Sequence, residues 1–222
     1  MGASAGKEQF SDSGIAYGPD DVSSFWQFML DMQKEGALPS AQQTAEDEGK
    51  ALDQSFTGTN KIGLASLWSN QITAMDKSTG QDLKLLRPPT KTGKATDAQL
   101  WYKASMYWSG SAKSKNAAEV AKFVSFLSSN IEAGKVMGTE RGVPANLAVR
   151  DAVKAQLSAS DKKVVAYLDA IDAERGKTPA ITPVGASDIQ LGRYSQDVLF
   201  NKSTPAKAAE GLVNELKSKV KV

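Results

Sequence analysis

Residues 61–71, Lys61-Ile62-Gly63-Leu64-Ala65-Ser66-Leu67-Trp68-Ser69-Asn70-Gln71, constrain the fold more than any other stretch. A run of small and apolar residues ends there in an aromatic followed by three polar side chains. Such a run, without polar alternation, predicts a strand covered on both faces, which calls for helices on either side of an open α/β sheet. Sheets of that kind bind ligands outside the carboxyl ends of their strands. Trp68 at that end offers a flat apolar face to the C–H groups of a pyranose, while Asn70 and Gln71 offer amide donors and acceptors to its hydroxyls. The alternative is a core Trp with a helix cap behind it.

The chain has 222 residues, enough for one large or two small domains, and 41% hydrophobic residues supply an ordinary core. A net charge of +2, scattered in mixed sign, provides no basic face for a phosphate backbone, so nucleic acid is not an expected partner. No apolar run approaches the roughly 20 residues that span a bilayer. Met1 to Gly6 reads as a flexible lead-in rather than an export signal. The chain contains no Cys and no His, which removes disulfides, thiolate nucleophiles and the usual general base or zinc ligand. No cofactor or metal is expected.

Along the chain, Pro19 begins a helix with Asp20 and Asp21 in its first turn, Val22, Phe25, Trp26, Met29 and Met32 on one face, and Gly36 as its stop. A polar, Ala-rich stretch follows over 40–49. Ala51 to Phe56 predicts a short helix that Gly58 breaks, and Ile72 to Asp76 predicts another. Asp82 to Leu86 reads as a strand closed by Arg87-Pro88-Pro89. Between Leu100 and Ser111, apolar Met106 and Trp108 alternate with Ser105, Tyr107 and Ser109, predicting a strand with a polar aromatic face. That face is a second candidate ligand surface; its alternative is a strand with Tyr at a rim and Ser toward solvent.

The later part of the chain is read as helical. Asn116 with Glu119 resembles a capping box, and Val120, Phe123, Val124, Leu127 and Ile131 form a stripe expected in the core. Ser158 with Asp161 repeats the signature ahead of Val164, Val165, Leu168 and Ile171, and Ser187 with Gln190 predicts a further start. Thr204-Pro205 opens a last helix bearing Ala209, Leu212, Val213, Leu216 and Val220 on one face; its Lys-rich end suits the negative pole of the dipole. Between helices, Met137-Gly138-Thr139-Glu140-Arg141-Gly142-Val143-Pro144-Ala145 places an acid and an Arg among glycines. Either side chain reaches a ligand, or the two form a local ion pair.

Six segments, taken in order, are similar to the extracellular solute-binding proteins of bacterial carbohydrate ABC transporters. They are Lys34-Glu35-Gly36-Ala37-Leu38-Pro39, the run into Leu67-Trp68-Ser69-Asn70-Gln71, Leu85 to Pro89, Ser105 to Ser109, Ser111 to Glu119, and Gly138 to Ala145. The resemblance begins near Phe10 and corresponds to the downstream part of the longer family members. It implies a helix-rich α/β, partial periplasmic-binding-protein-like fold comprising the later part of the second lobe and the closing helices. In those terms residues 1–12 are a lead-in, 13–98 belong to the C-terminal lobe, 99–145 supply a strand and helix of the first lobe, and 146–222 are the closing helical segment.

The resemblance further implies a non-catalytic protein that captures a saccharide and delivers it to ABC permease subunits, located outside the cytoplasmic membrane or lipid-anchored at the cell surface. Trp68 resembles the family's stacking aromatic. Asn70, Gln71, Ser105, Tyr107 and Arg141 match its cleft-lining positions, and Trp101 with Tyr102 a rim. A fragment of this kind is expected to bind sugar weakly or undetectably on its own, with dimerisation, as a homodimer, or strand swapping as the ways to cover its open edges. The competing class is a helical scaffold or interaction module with Trp68, Trp101 and Trp108 in its core. An enzyme ranks third, because Glu132, Glu140 and Asp151 have no spacing that compels a catalytic pair.

Overall fold

The computed structural model describes residues 8–11, 14–90, 92–104, 106–139, 141–176, 178, 189 and 191–220. The chain divides into two compact units that interleave in sequence. One takes in Met1–Lys50, Pro88–Trp101 and Gly176–Val222, the other Ala51–Arg87 and Tyr102–Arg175.

The first unit is built on α1 (Pro19–Lys34), α2 (Ala41–Asp47), α8 (Leu191–Leu199) and α9 (Pro205–Lys219). α1 starts where Pro19 predicts, with Asp21 accepting the Gly18 N–H at 3.0 Å, and it ends before Gly36, whose φ of +75° no helix continues. α2 fills the Ala-rich stretch, capped by Ser40 and Gln43. α9 is capped by the Thr204 hydroxyl and buries Ala208, Ala209, Leu212, Val213 and Leu216 against α1 and α8. The core centres on Trp26, only 3% exposed, among Phe10, Val198, Ala209, Leu212 and Leu216. Its Nε1–H donates to Ser195 Oγ at 3.1 Å, the partner a buried indole requires. A two-residue-per-strand hairpin, β1 (Phe10–Ser11) with β2 (Gly14–Ile15), pairs antiparallel with Phe10 opposite Ile15 and closes this core.

The second unit holds α3 (Ile72–Thr79), α4 (Ala117–Ser129), α5 (Ile131–Met137), α6 (Leu147–Val153) and α7 (Ala159–Ile171). α7 begins at Ser158, whose hydroxyl accepts the Asp161 N–H at 3.1 Å, and buries Val164, Val165 and Ile171. α5 and α6 pack closely because Gly134 has no side chain: a Cβ there would lie 2.2 Å from Val149 Cγ1. Val149 is β-branched and held beside the fully buried Val153, so it has no free rotamer into which to retreat. Gly134→Ala is therefore expected to destabilise the protein by about 1–2 kcal/mol in urea denaturation. Overpacking at the upper end of about 1–3 kcal/mol exceeds the helix-propensity gain of about 1 kcal/mol.

An ion cluster ties α3 to α7. The Lys163 ammonium lies 2.7 Å from Asp76 Oδ2 and 2.5 Å from Asp82 Oδ1, and it donates to the Leu83 carbonyl at 2.9 Å. Asp76 also accepts from Ser160 Oγ at 2.5 Å and from the Leu83 N–H at 3.0 Å. Burial pushes the Asp76 carboxyl up, but the hydrogen bonds from Lys163, Ser160 and Leu83 outweigh it and hold the group below the usual carboxylate range. Hydrogen bonds from Lys163 and Lys84 lower Asp82 to about 2. Both carboxyls thus bind protons more weakly folded than unfolded. Their contribution is complete above about pH 4, where the unfolded carboxyl ionises, and is lost as pH falls through the folded values. The urea midpoint is expected to drop between about pH 4 and about pH 2, and Asp76→Asn is expected to flatten that drop.

Four sequence expectations are corrected here. Segments 61–68, 82–90, 100–104 and 106–110 have no regular secondary structure and join no ladder; among the described residues only β1 and β2 pair. Extended propensity is local, whereas a strand needs a neighbour in register, and Leu64, Leu67, Leu86, Met106 and Trp108 accordingly remain exposed. Residues 52–54 form a single 3₁₀ turn rather than the α-helix expected over 51–56. The α4 stripe is not a closed core: no α4 residue is fully buried, and Phe123, 60% exposed, stacks on Phe126 at 6.4 Å between ring centroids. The Asn116 side chain makes no cap bond, and the start read at Ser187 and Gln190 lies outside the described residues.

Candidate functional site

Trp68 stands at the entry to a 3₁₀ turn, Ser69–Gln71, that runs directly into α3. Gln71 makes the turn: its Oε1 accepts the Trp68 N–H at 2.8 Å and its own N–H donates to the Trp68 carbonyl at 2.9 Å. This clamp, with the packing of the turn and α3 on α7, fixes where the indole is presented. The ring is 51% exposed, so Trp68 is neither a core residue nor a loose one. Asn70 is exposed on the same turn. Because Gln71 Oε1 is engaged in the clamp, the group that Gln71 offers outward is its Nε2 donor.

The second element of the site is the irregular segment after Tyr102. The Tyr102 hydroxyl donates to the Leu168 carbonyl at 2.6 Å, and the Arg175 guanidinium sits 5.1 Å from the centre of its ring. Burial and the nearby Asp172 carboxylate push this phenol up. Tyr102 thereby pins the segment to α7, the helix that also carries the Trp68 turn. One residue on, the Lys103 ammonium lies over the Trp68 ring, 4.5 Å from its centroid. Such an arrangement contributes about 0.5–1 kcal/mol at an exposed site.

Farther along the same segment, Arg141 Nη1 approaches Met106 Sδ at 3.9 Å. The Arg141 turn is shaped by Gly138 and Gly142, at φ values of +56° and +91° that favour glycine. Open space surrounds Gly138, so its role is the chain reversal and not close approach to a neighbour. Arg150 Nε donates to the Pro144 carbonyl at 3.1 Å and secures the far side of this turn. Lys103 and Met106 are separated by about 10 Å of extended chain at most. The segment therefore links the Trp68 turn at one end with the Arg141 turn at the other.

Of the residues singled out in the sequence, Trp68, Asn70 and Gln71 share one turn, and Arg141 meets the residue beside Tyr107. Tyr107 is 81% exposed. Trp101 is partly buried and belongs to the other unit, while Ser105 and Glu140 lie outside the described residues. Lys103 was missed, although the period-two pattern that selects Ser105 and Tyr107 includes it.

A groove of about 450 Å³ runs between residues 84–87 and α7 and contains none of these side chains. Its cations are already partnered: Lys84 with Asp82, Lys163 with Asp76 and Asp82, and Arg87 with Glu174. Glu132 and Asp151 are likewise paired on helix surfaces, with Lys135 at 2.8 Å and Lys154 at 2.9 Å. Among the described residues no cluster of acidic side chains could hold a metal ion.

No protein-family profile matches the chain. Its fold is similar to a solved structure described as an extracellular solute-binding protein family 1 from Alicyclobacillus acidocaldarius subsp. acidocaldarius DSM 446, with a TM-score of 0.81 and 24% sequence identity. The match covers 98% of this chain and 56% of that one, so this chain spans little more than half the length of its structural neighbour. The helix-rich α/β architecture expected from the sequence is that of the corresponding part of a solute-binding protein.

Proposed function

We propose that this chain is the ligand-holding part of an extracytoplasmic solute-binding protein that captures a saccharide and presents it to ABC permease subunits without chemical change. The observation that carries the reading is Trp68: a half-exposed indole, clamped by Gln71 and flanked by amides, on a fold similar to that of a solute-binding protein. A flat apolar face bordered by a few amide donors and acceptors suits the alternating C–H and hydroxyl surface of a sugar better than a compact ion. Asn70, the Nε2 of Gln71, Ser105, Tyr107 and Arg141 would supply the polar contacts. Delivery would follow from population shift, the ligand favouring the form a permease recognises. A second copy would cover apolar side chains left exposed, among them Leu64, Leu67, Phe123 and Phe126.

The reading of the chain as a scaffold with three core tryptophans is less well supported, since Trp68 and Trp108 are both exposed. Saturation-transfer NMR against a panel of neutral mono- and oligosaccharides, with amino acids as the contrasting class, tests the ligand class. Transfer to saccharide ring protons is expected, in the millimolar range that corresponds to about 4 kcal/mol of binding free energy. Transfer to amino acids alone, or to neither, would contradict the reading.

A further inference from the structure

A cation lies over the Trp68 ring, and its placement follows from the fold. Tyr102 anchors the segment to α7 through the Leu168 carbonyl, Gln71 anchors Trp68 through the turn, and α7 packs on that turn. The Lys103 ammonium consequently stands 4.5 Å from the ring centroid. No carboxylate pairs with Lys103 among the described residues, in contrast to Lys84, Lys135, Lys154 and Lys163, each of which has an acid within ion-pair distance.

From this juxtaposition we infer that Lys103 is a specificity-determining residue and that the Trp68 face selects acidic saccharides, sugars carrying a carboxylate in place of a hydroxymethyl group. The inference rests on the saccharide reading and deepens it. Any sugar stacking on this face must move the ammonium aside, and a neutral sugar gives it no charge partner in return. A uronate on the same face pairs the displaced ammonium with its carboxylate, so one residue penalises the neutral ligand and rewards the acidic one. An exposed Lys–carboxylate pair corresponds to about two- to fivefold in affinity and weakens with salt.

The test compares methyl β-D-glucuronide with methyl β-D-glucoside, a pair differing only at that group, by saturation-transfer titration at low and high salt. The wild-type chain is expected to bind the glucuronide about two- to fivefold more tightly at low salt and to lose much of that preference at high salt. Lys103→Met is expected to weaken the glucuronide, strengthen the glucoside and so abolish the preference. Lys103→Arg is expected to retain it, which a packing role for the aliphatic stem would not predict. Equal affinities in the wild type, or a preference unchanged in Lys103→Met, would overturn the inference while leaving the saccharide reading intact. Absence of transfer to both glycosides and to the wider saccharide panel would overturn the two together.

Discussion

Trp26→Ala is expected to be the most damaging single substitution in the first unit. Truncating a buried Trp costs about 3–5 kcal/mol through lost transfer energy and the cavity left behind. Here the ring is 3% exposed and lies among Phe10, Val198, Ala209, Leu212 and Leu216, which come from the hairpin, α8 and α9. Those elements are far apart in sequence, so the void cannot be closed by a local shift. The Ser195 hydroxyl also loses its indole donor, adding about 0.5–1.5 kcal/mol. Against a typical domain stability of about 5–15 kcal/mol, this loss brings the unit close to unfolding at ambient temperature. Urea denaturation monitored by circular dichroism would check it; a midpoint within error of wild type would show that Trp26 does not organise this core.

Trp68→Ala is expected to have the opposite profile, a large effect on ligand and a small one on stability. The side chain is half exposed, and the turn is held by the Gln71 amide and backbone bonds, none of which uses the indole. Surface substitutions away from buried features usually fall within about 0.5 kcal/mol. A stacking aromatic at the centre of a site behaves as a hot spot, so its removal is expected to weaken saccharide binding by at least about 2 kcal/mol, roughly 30-fold. Trp68→Phe should recover part of that loss. Loss of binding together with cooperative unfolding at a much lower denaturant concentration would instead mark Trp68 as structural.

The helices were legible because their signals are local. Pro19 with Asp21, Ser158 with Asp161, and Thr204-Pro205 each act within one turn, and the apolar spacing of Ala209, Leu212, Val213 and Leu216 specifies the face that α9 buries. The strands were not legible as strands, because pairing is a property of two segments. Residues 61–68 and 100–110 carry the right residue types, yet meet no ladder partner among the described residues. The same limit explains α4, whose stripe from Val120 to Leu127 has helical spacing but whose Phe123 and Phe126 stack on each other and stay exposed.

The candidate site divides in the same way. Trp68, Asn70 and Gln71 could be grouped from sequence because one short turn carries all three. That Gln71 would clamp the turn was hidden in the choice between a side chain facing outward and one folded back on its own backbone. Lys103 required knowledge that two segments are fastened to one helix, α7, by Tyr102 and by the turn itself. The convergence of Met106 with Arg141 is of this non-local kind too.

The central claim is that Trp68 is the stacking surface for a saccharide. Tryptophan fluorescence of the chain, titrated with the sugar giving the strongest saturation transfer and repeated on Trp68→Phe, tests it most directly. The account predicts a saturable change in emission for the wild type that disappears in the variant while circular dichroism stays unchanged. A change that persists undiminished in Trp68→Phe, or none in the wild type at saturating sugar, would contradict it.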